Sequence, residues 1–405
     1  MKELRILLVS LIIFFSCEKD IKTTNNTISI DLISAISNKE RINLSSIAKS
    51  IDYIPLQTDS LNLIGKIDKP NIDVLFIDNK ILINSGELFL FTDKGRLLNK
   101  IGTQGRGPDE YVKIADFATI KKENNTLVAI HSGAQQKAIL YNLEGNHVKS
   151  IPIDFWPMRI TSLSDDIVCI NLRGVRKDSD YYAFSIISPI NGKLKKRLLY
   201  KGNEKEIESG NKKLDVEGRI NYYKIKDTLS YWESGYDTIW RITDDLKIFP
   251  KYVLNIGENK MPINEQINGN LFNFNKIVKY NSVQKCFESQ KYLFFETCIN
   301  KRLHKLYYDK NSQEVNCVEF KKPFGKGIHF SFYNNIDGGM PFWPQGKMSD
   351  NKMFMLAYGY EIKDYLERID GSYNAIDEAR ERLLKLVKHS KISDNPILMV
   401  VTLNK

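Results

Sequence analysis

The sequence predicts an all-β chain folded as a six-bladed β-propeller, and three observations carry that expectation. Apolar runs of strand length end in turn signals at "TDKGRLL", "NLEGNHV", "PINGKLK", "TDDLKIF" and "DKNSQEV", centred on Gly95, Gly145, Gly192, Asp245 and Asn311, with gaps of 50, 47, 53 and 66 residues. A period near about 40–50 residues with four strands per unit is the signature of propeller blades. The 405 residues include 20 Tyr and 20 Phe and many Asn, a mix that suits strands and tight turns. Finally, the last unit lacks an outer strand, and an orphan strand pattern near the start of the chain can supply it.

The strands follow in that frame. "DVLFID", "KILINSG", "LFLFTD" and "RLLNKIG" make a first blade. "VKIADFATI", "TLVAIHS", "KAILYNL" and "HVKSIPI" make a second, and "MRITSL", "DIVCINL", "YAFSIIS" and "LKKRLLY" a third. "INYYKIK", "TLSYWES", "DTIWRIT" and "PKYVLNI" form the fourth, and "KIVKYNS", "KYLFFETC", "HKLYYD" and "VNCVEF" the fifth. The sixth has "GIHFSFY", "KMFMLAYGY" and "PILMVVTL". The orphan "SIDYIPLQT", Ser50 to Thr58, completes it, so the ring closes by pairing the N-terminal strand with the C-terminal blade, which leaves only short blade edges unpaired. A helical insertion over about 360–390 interrupts the last blade. Ile362, Tyr365, Leu366 and Ile369 fall on one helix face, and Ile376, Ala379, Leu383 and Val387 on another, with Gly371 between the two helices.

The chain opens with Lys2 and Arg5, an apolar run from Ile6 to Phe15, and then Ser16-Cys17. A charged start, a short apolar middle and a small residue before the cut describe a secretory signal over 1–16. Ten residues are too few to cross a bilayer, which takes roughly 17–25. Cys17 directly after the small residue resembles a bacterial lipobox, although Phe14 stands where Leu is usual. The expectation is a chain lipidated at Cys17, with 17–40 as lipidated N-terminus and tether and 41–405 as the propeller. Acyl burial contributes about 0.8 kcal/mol per CH₂. Loss of Lys2, Glu3 and Arg5 with the signal lowers the net charge of +10 by one.

That charge is dispersed, with no block of five or six like charges, which argues against a nucleic-acid partner. The cysteines after Cys17 are Cys169, Cys286, Cys298 and Cys317. They form no CxxC pair, and each lies in an apolar run, so zinc spacing is absent and free, buried thiols are expected. No cofactor is expected.

"KIGTQGRGPDEYVKI", Lys100 to Ile114, tests the phosphate-loop alternative. After Gly102 and Gly107 come Pro108 and Asp109, not the Lys and hydroxyl of a Walker loop, and the following segment is a strand pattern, not the helix of a dinucleotide loop. The stretch is a corner between blades, with glycines free to take positive φ and Pro108 fixing the exit. At this point the chain resembles the six-bladed β-propeller lipoproteins of Bacteroidetes, whose blades are similar to NHL repeats. The matching residues are "IGTQGRGPDEY" (Ile101–Tyr111), "DYIPLQTDSLNLIGKI" (Asp52–Ile67), "YDTIWRI" (Tyr236–Ile242) and "SDNPILMV" (Ser393–Val400). The resemblance implies the fold and a lipid-anchored place in the cell envelope, in the outer membrane. It implies little chemistry, because a fold does not supply a reaction.

Strand order sorts the loops onto two faces. One face carries tight turns such as "IDNK", "LSDD", "TDKG" and "LEGN". The other carries "GTQGRGPDEY", "LRGVRKDSDYY", "KGNEKEIESGNKKLDVEGR", "IGENKMPINEQINGN" and the helical insertion. Long loops on a rigid scaffold are where binding concentrates, so the working surface is expected there. Its candidate ligand-binding residues are Arg106, Glu110, His131, Arg173, Arg176, Trp232 and Glu233, with Arg106 and Glu110 at the propeller mouth; Trp156 and Trp343 either stack on sugar rings or pack between blades. The expected activity is binding of a glycan, peptide or envelope protein without catalysis. The alternative is a glycoside hydrolase or lyase at the central mouth, for which the inner strands offer the carboxylates Asp73 and Asp116.

Overall fold

The computed structural model describes residues 27–59, 62–64, 73–122, 125–153, 157–171, 182–199, 220–225, 228–233, 237–260, 279–319, 331–368 and 377–404. The N-terminal segment supplies β1 (Ile28–Asp31), the single turn α1 (Leu32–Ala35), β2 (Lys39–Glu40) and β3 (Ala48–Pro55). Blade 1 is β4 (Asp73–Ile77), β5 (Lys80–Asn84), β6 (Leu88–Thr92) and β7 (Leu97–Lys100). Blade 2 is β8 (Asp116–Lys122), β9 (Asn125–Ser132), β10 (Lys137–Tyr141) and β11 (His147–Pro152). Blade 3 is β12 (Pro157–Leu163), β13 (Asp166–Asn171), β14 (Tyr182–Ile187) and β15 (Leu194–Leu199). Blade 4 is β16 (Ile220–Ile225), β17 (Thr228–Glu233), β18 (Thr238–Ile242) and β19 (Ile248–Asn255). Blade 5 is β20 (Ser282–Glu288), β21 (Tyr292–Ile299), β22 (Arg302–Asp309) and β23 (Glu314–Val318). Blade 6 is β24 (Gly346–Ser349), β25 (Lys352–Ala357), α2 (Gly359–Arg368), α3 (Asp377–Val387) and β26 (Ile397–Leu403). Within each blade the strands are antiparallel and consecutive, and blade 6 is completed by β3 in the order β24-β25-β26-β3.

The ring closes through a full strand ladder and a side-chain clasp. β3 runs antiparallel to β26 with Ile54 opposite Leu398 and Ser50 opposite Thr402. Just beyond, buried Asn395 fastens the two ends side chain to backbone. Its Oδ1 accepts from Ile64 N at 2.8 Å, and its Nδ2 donates to Gln57 O at 2.8 Å and Asn62 O at 2.9 Å. Two of the sequence stretches that carry the family resemblance are therefore the two halves of the closing joint.

Among the described residues burial divides into six apolar clusters, one for each pair of neighbouring blades. Alternate residues of a strand point to opposite faces, so each blade feeds two clusters. Leu82 and Leu90 meet Phe117 and Ile130 between blades 1 and 2, whereas Ile81 and Phe89 meet Leu398 and Val400 between blades 1 and 6. The cluster between blades 5 and 6 is the largest, because Ile362 and Leu366 of α2 and Leu383 and Val387 of α3 pack on it. Those are four of the apolar positions that helical spacing assigned; Ile369, Gly371 and Ile376 lie outside the described residues.

The glycines that marked the repeat have a shared packing role. Gly95, Gly145 and Gly192 each turn the chain from third to outer strand at φ of +81°, +87° and +71°. A Cβ would lie 2.0 Å from Pro55 O at Gly95, 2.4 Å from Lys100 O at Gly145, and 2.6 Å from the Ile151 side chain at Gly192. Each glycine thus abuts the end of the outer strand of the preceding blade, so the turn is also an inter-blade contact.

Three expectations change. Residues 28–40, assigned to the tether, are built onto the ring: β1 pairs parallel with β19 and β2 with β23, making blades 4 and 5 five-stranded. Ile30 and Leu32 are buried between those blades, which is what holds the segment down. The inner strand of blade 5 is Ser282–Glu288, beginning where "KIVKYNS" ends. The inner strand of blade 6 is "GKMS", four residues with no apolar alternation, whereas Phe332 of the more strand-like "GIHFSFY" forms only an isolated bridge to Phe342. Cys169, Cys286, Cys298 and Cys317 are buried thiols in no disulfide, and burial pushes the Cys169 thiol up to about 12.

Candidate functional site at the channel mouth

The inner strands of blades 1 to 4 begin on the long-loop face, and each brings a polar side chain to that end. Asp73 opens β4, Asp116 opens β8, Arg159 is the third residue of β12, and Tyr222 is the third of β16. Asp116 lies opposite His131 of β9, so the two share the face of blade 2 that packs on blade 3. Asp116 Oδ2 accepts from Ile160 N of blade 3 at 2.8 Å. The Tyr222 hydroxyl stands 3.1 Å from Ile160 O and 3.3 Å from Asp116 Oδ2, able to donate to one of them at a time. Blades 2, 3 and 4 are thus joined through one buried carboxylate.

Burial governs the electrostatics. Asp116 is 3% exposed, and burial pushes its carboxyl up to about 7 against the opposing pull of Arg159, with Asp73 adding a further push. Asp73 is also raised by burial, again opposed by Arg159. The Arg159 guanidinium is held above its ordinary value because Asp116, Tyr222 and Asp73 outweigh its own desolvation. Burial of His131, 2% exposed, lowers its imidazole to about 4, and Nδ1 has no hydrogen-bond partner among the described residues. Near neutrality the mouth therefore carries a neutral imidazole and one arginine set against two carboxyls whose ionisation burial opposes, with Asp116 close to half-protonation, a nearly uncharged set rich in hydrogen-bond donors and acceptors.

The other expected site residues are distributed differently. The Arg106–Glu110 loop lies against the outer half of blade 2, not at the mouth: Lys137 Nζ donates to Pro108 O at 2.7 Å, Tyr141 Oη to Asp109 O at 2.6 Å, and His147 Nδ1 is 3.1 Å from Asp109 Oδ1. Glu110 pins its own loop, accepting from Gly107 N at 2.8 Å, and its carboxylate fills the space where Gly105 would carry a Cβ. Arg106 is exposed at the tip. Trp232 is 3% exposed and packs between blades 4 and 5, which makes it a core residue and removes it from a ligand's reach. Trp343 stacks on Phe332, centroids 5.4 Å apart, and is likewise core. Glu233 ends β17 at the long-loop face; its side chain lies outside the described residues, as do Cys17, Trp156, Arg173 and Arg176. Sequence reasoning named Asp73 and Asp116 but missed Arg159 and Tyr222. The available signal was a charge in "MRITSL", an inner-strand segment that otherwise reads as apolar core.

The geometry defines a six-bladed β-propeller whose channel mouth holds a buried acid–base cluster. Over residues 27–402 the chain matches the family described as Domain of unknown function (DUF4934), and it belongs to that family. Among solved structures it is similar to a protein of Bacteroides fragilis described as exported, at 18% identity and TM-score 0.69, covering 94% of this chain and 100% of that one. A DUF4221 family member from Bacteroides vulgatus is similar at 10% identity and TM-score 0.53, covering 88% and 97%. These likenesses are of fold. No curated protein matches the chain. Among the described residues no helix is long and apolar enough to cross a membrane.

Proposed function

We propose that the protein is a lipid-anchored binding module of the cell envelope, attached to the outer membrane through Cys17, that takes a glycan at the mouth formed by Asp73, Arg159 and Tyr222, with Asp116 buried behind them. The observation that carries the reading is the concentration of partly desolvated hydrogen-bonding side chains at the long-loop end of the inner strands. Carboxylates accept from vicinal hydroxyls and a guanidinium fork donates to them, while the near-neutral total suits an uncharged polyol better than a strongly charged ligand. The charged, apolar and Ser16-Cys17 succession at the N-terminus supports the anchor. The chain joins the ring at Thr27–Ile28, at the short-turn end of blade 4, so a tether pulling there turns the mouth away from the membrane.

The test is a glycan and peptide array probed with the soluble chain from residue 27. Retention on a defined glycan set, weakened at least tenfold by Arg159→Met or Asp73→Asn, is expected; retention only on peptides, or indifference to both variants, overturns the ligand assignment. Palmitate labelling that disappears in Cys17→Ala checks the anchor separately.

One observation favours a second reading, glycoside hydrolysis or elimination at the same mouth. A carboxyl raised to about 7 beside a second carboxylate is the pairing that separates a general acid from its partner. Turnover of the retained glycan that vanishes in Asp116→Asn, with binding kept, would establish it.

A further inference from the structure

A cavity of about 650 Å³ opens on the short-turn face, in the cleft between blades 4 and 5. Its floor is Glu288, the last residue of the inner strand β20, whose side chain is 1% exposed. Arg241 Nη2 donates to Glu288 Oε2 at 2.8 Å, the Tyr252 hydroxyl donates to Oε1 at 2.9 Å, and Lys310 Nζ binds Oε1 as well as Ser289 O, the latter at 2.7 Å. Burial acts to raise the Glu288 carboxyl, but Lys310 and Arg241 outweigh it and hold the group below its ordinary value. The buried carboxylate is fully engaged, and the cations around it are not.

Arg241 directs Nε to Ser230 Oγ at 3.2 Å and one bond from Nη2 to Glu288, leaving further N–H donors of its fork. Lys251, on the cavity wall, makes no hydrogen bond or ion pair among the described residues; burial and the neighbouring Arg241 both push its ammonium down. Arg241, Lys251 and Lys310 face the single charge of Glu288. The other acid on the wall, Asp350, is matched by Lys347 at 2.9 Å. Among the described residues two positive charges are left without a counter-charge in a concave space, and Thr228 and Gln290 add neutral hydrogen-bonding groups to its wall.

We infer that the cleft between blades 4 and 5 is a binding site for a phosphomonoester, held by Lys251 and the free donors of Arg241 with Lys310 behind them. A phosphomonoester carries about −1.5 to −2 at neutral pH, which matches the surplus, and its oxygens suit an arginine fork. The ester's organic part has room in the cavity. Two sources present this chemistry: a soluble sugar or polyol phosphate, and the phosphate of a lipid headgroup. The second gains from position, because Ile28 and Ser29, where the chain joins the ring, line the same cavity. The site lies across the ring from the mouth and does not depend on what the mouth binds.

Calorimetric titration of the full chain in an uncharged detergent separates the cases, with glycerol 3-phosphate as the soluble probe, phosphatidic acid mixed into the micelles as the lipid probe, and glycerol as the control. Saturable binding of one equivalent is expected, weakening as sodium chloride is raised. Lys251→Met, which keeps the side chain's length and removes its charge, should weaken binding at least tenfold, and Lys251→Arg should restore most of it. Binding of glycerol 3-phosphate identifies a soluble ligand, and binding of phosphatidic acid alone identifies a headgroup. Binding of neither probe, or equal binding by Lys251→Met, overturns the inference.

Discussion

His131 and Asp116 face each other across β8 and β9 with their proton affinities moved in opposite directions. The folded Asp116 keeps a proton that the unfolded chain gives up between about pH 4 and 7, so its contribution to stability is lost as pH rises through that window. The folded His131 refuses a proton that the unfolded chain takes up below about 6.5, so its contribution is lost as pH falls towards 4. Between about pH 4 and 6.5 the two slopes offset, and the wild-type contribution of the pair is flat. Substituting either residue exposes the other's slope, up to about 1.4 kcal/mol per pH unit. Urea unfolding at pH 4.5 and 6.5 should show His131→Gln less stable at the higher pH and Asp116→Asn less stable at the lower. Parallel curves for the two variants would mean that one of the groups titrates normally. Glu288 makes a second prediction. Its removal in Glu288→Ala strands Arg241 and Lys310 without their shared counter-ion, and the expected loss is about 3–5 kcal/mol, read from the urea midpoint.

At the scale of elements, the repeat was legible because each turn glycine meets two requirements together, a left-handed φ and the close approach of the preceding blade. Gly145 meets both, whereas Gly86 has φ of +106° and open space for 4 Å around the point where a Cβ would stand. Gly145→Ala should therefore lower the melting temperature clearly more than Gly86→Ala, which carries only the backbone strain of about 1–2 kcal/mol. Equal losses would remove the packing role. What escaped the sequence has an equally local cause. β24 is four residues, Gly346–Ser349, held by the ladder to β25, and the apolar "GIHFSFY" outscored it as a strand pattern. β1 and β2 add parallel to blade edges after a polar run, and parallel edge addition leaves no hairpin signal. The mouth was half-legible. Asp73 and Asp116 stand out at the starts of apolar strands, but the packing that turns them towards Arg159 and Tyr222 joins four blades and has no signature in any one of them. The Glu288 cluster was hidden by the misplaced start of β20.

For the whole molecule, the ring is held by its joint. Asn395 makes four hydrogen bonds to the 57–64 segment through its side chain and backbone N–H at 2.8–2.9 Å, and replacing it with Ala leaves the backbone groups of buried Asn62 and Ile64, and of Gln57, without that partner. A loss of about 2–3 kcal/mol is expected for Asn395→Ala, and since both chain ends are released together, limited proteolysis should cut first around residue 60. First cleavage elsewhere in the ring would show that another blade opens sooner.

The strand that seals the wheel, Ala48–Pro55, is synthesised long before its partner, Ile397–Leu403. No ribosome can hand over a finished propeller until that partner has emerged, and a nascent chain carries an open sheet edge until then. A nonsense mutation within Ile397–Leu403 removes the seal as surely as one in the middle of the gene. Any apparatus that moved this polypeptide across a membrane as it is made would therefore meet an unclosed chain.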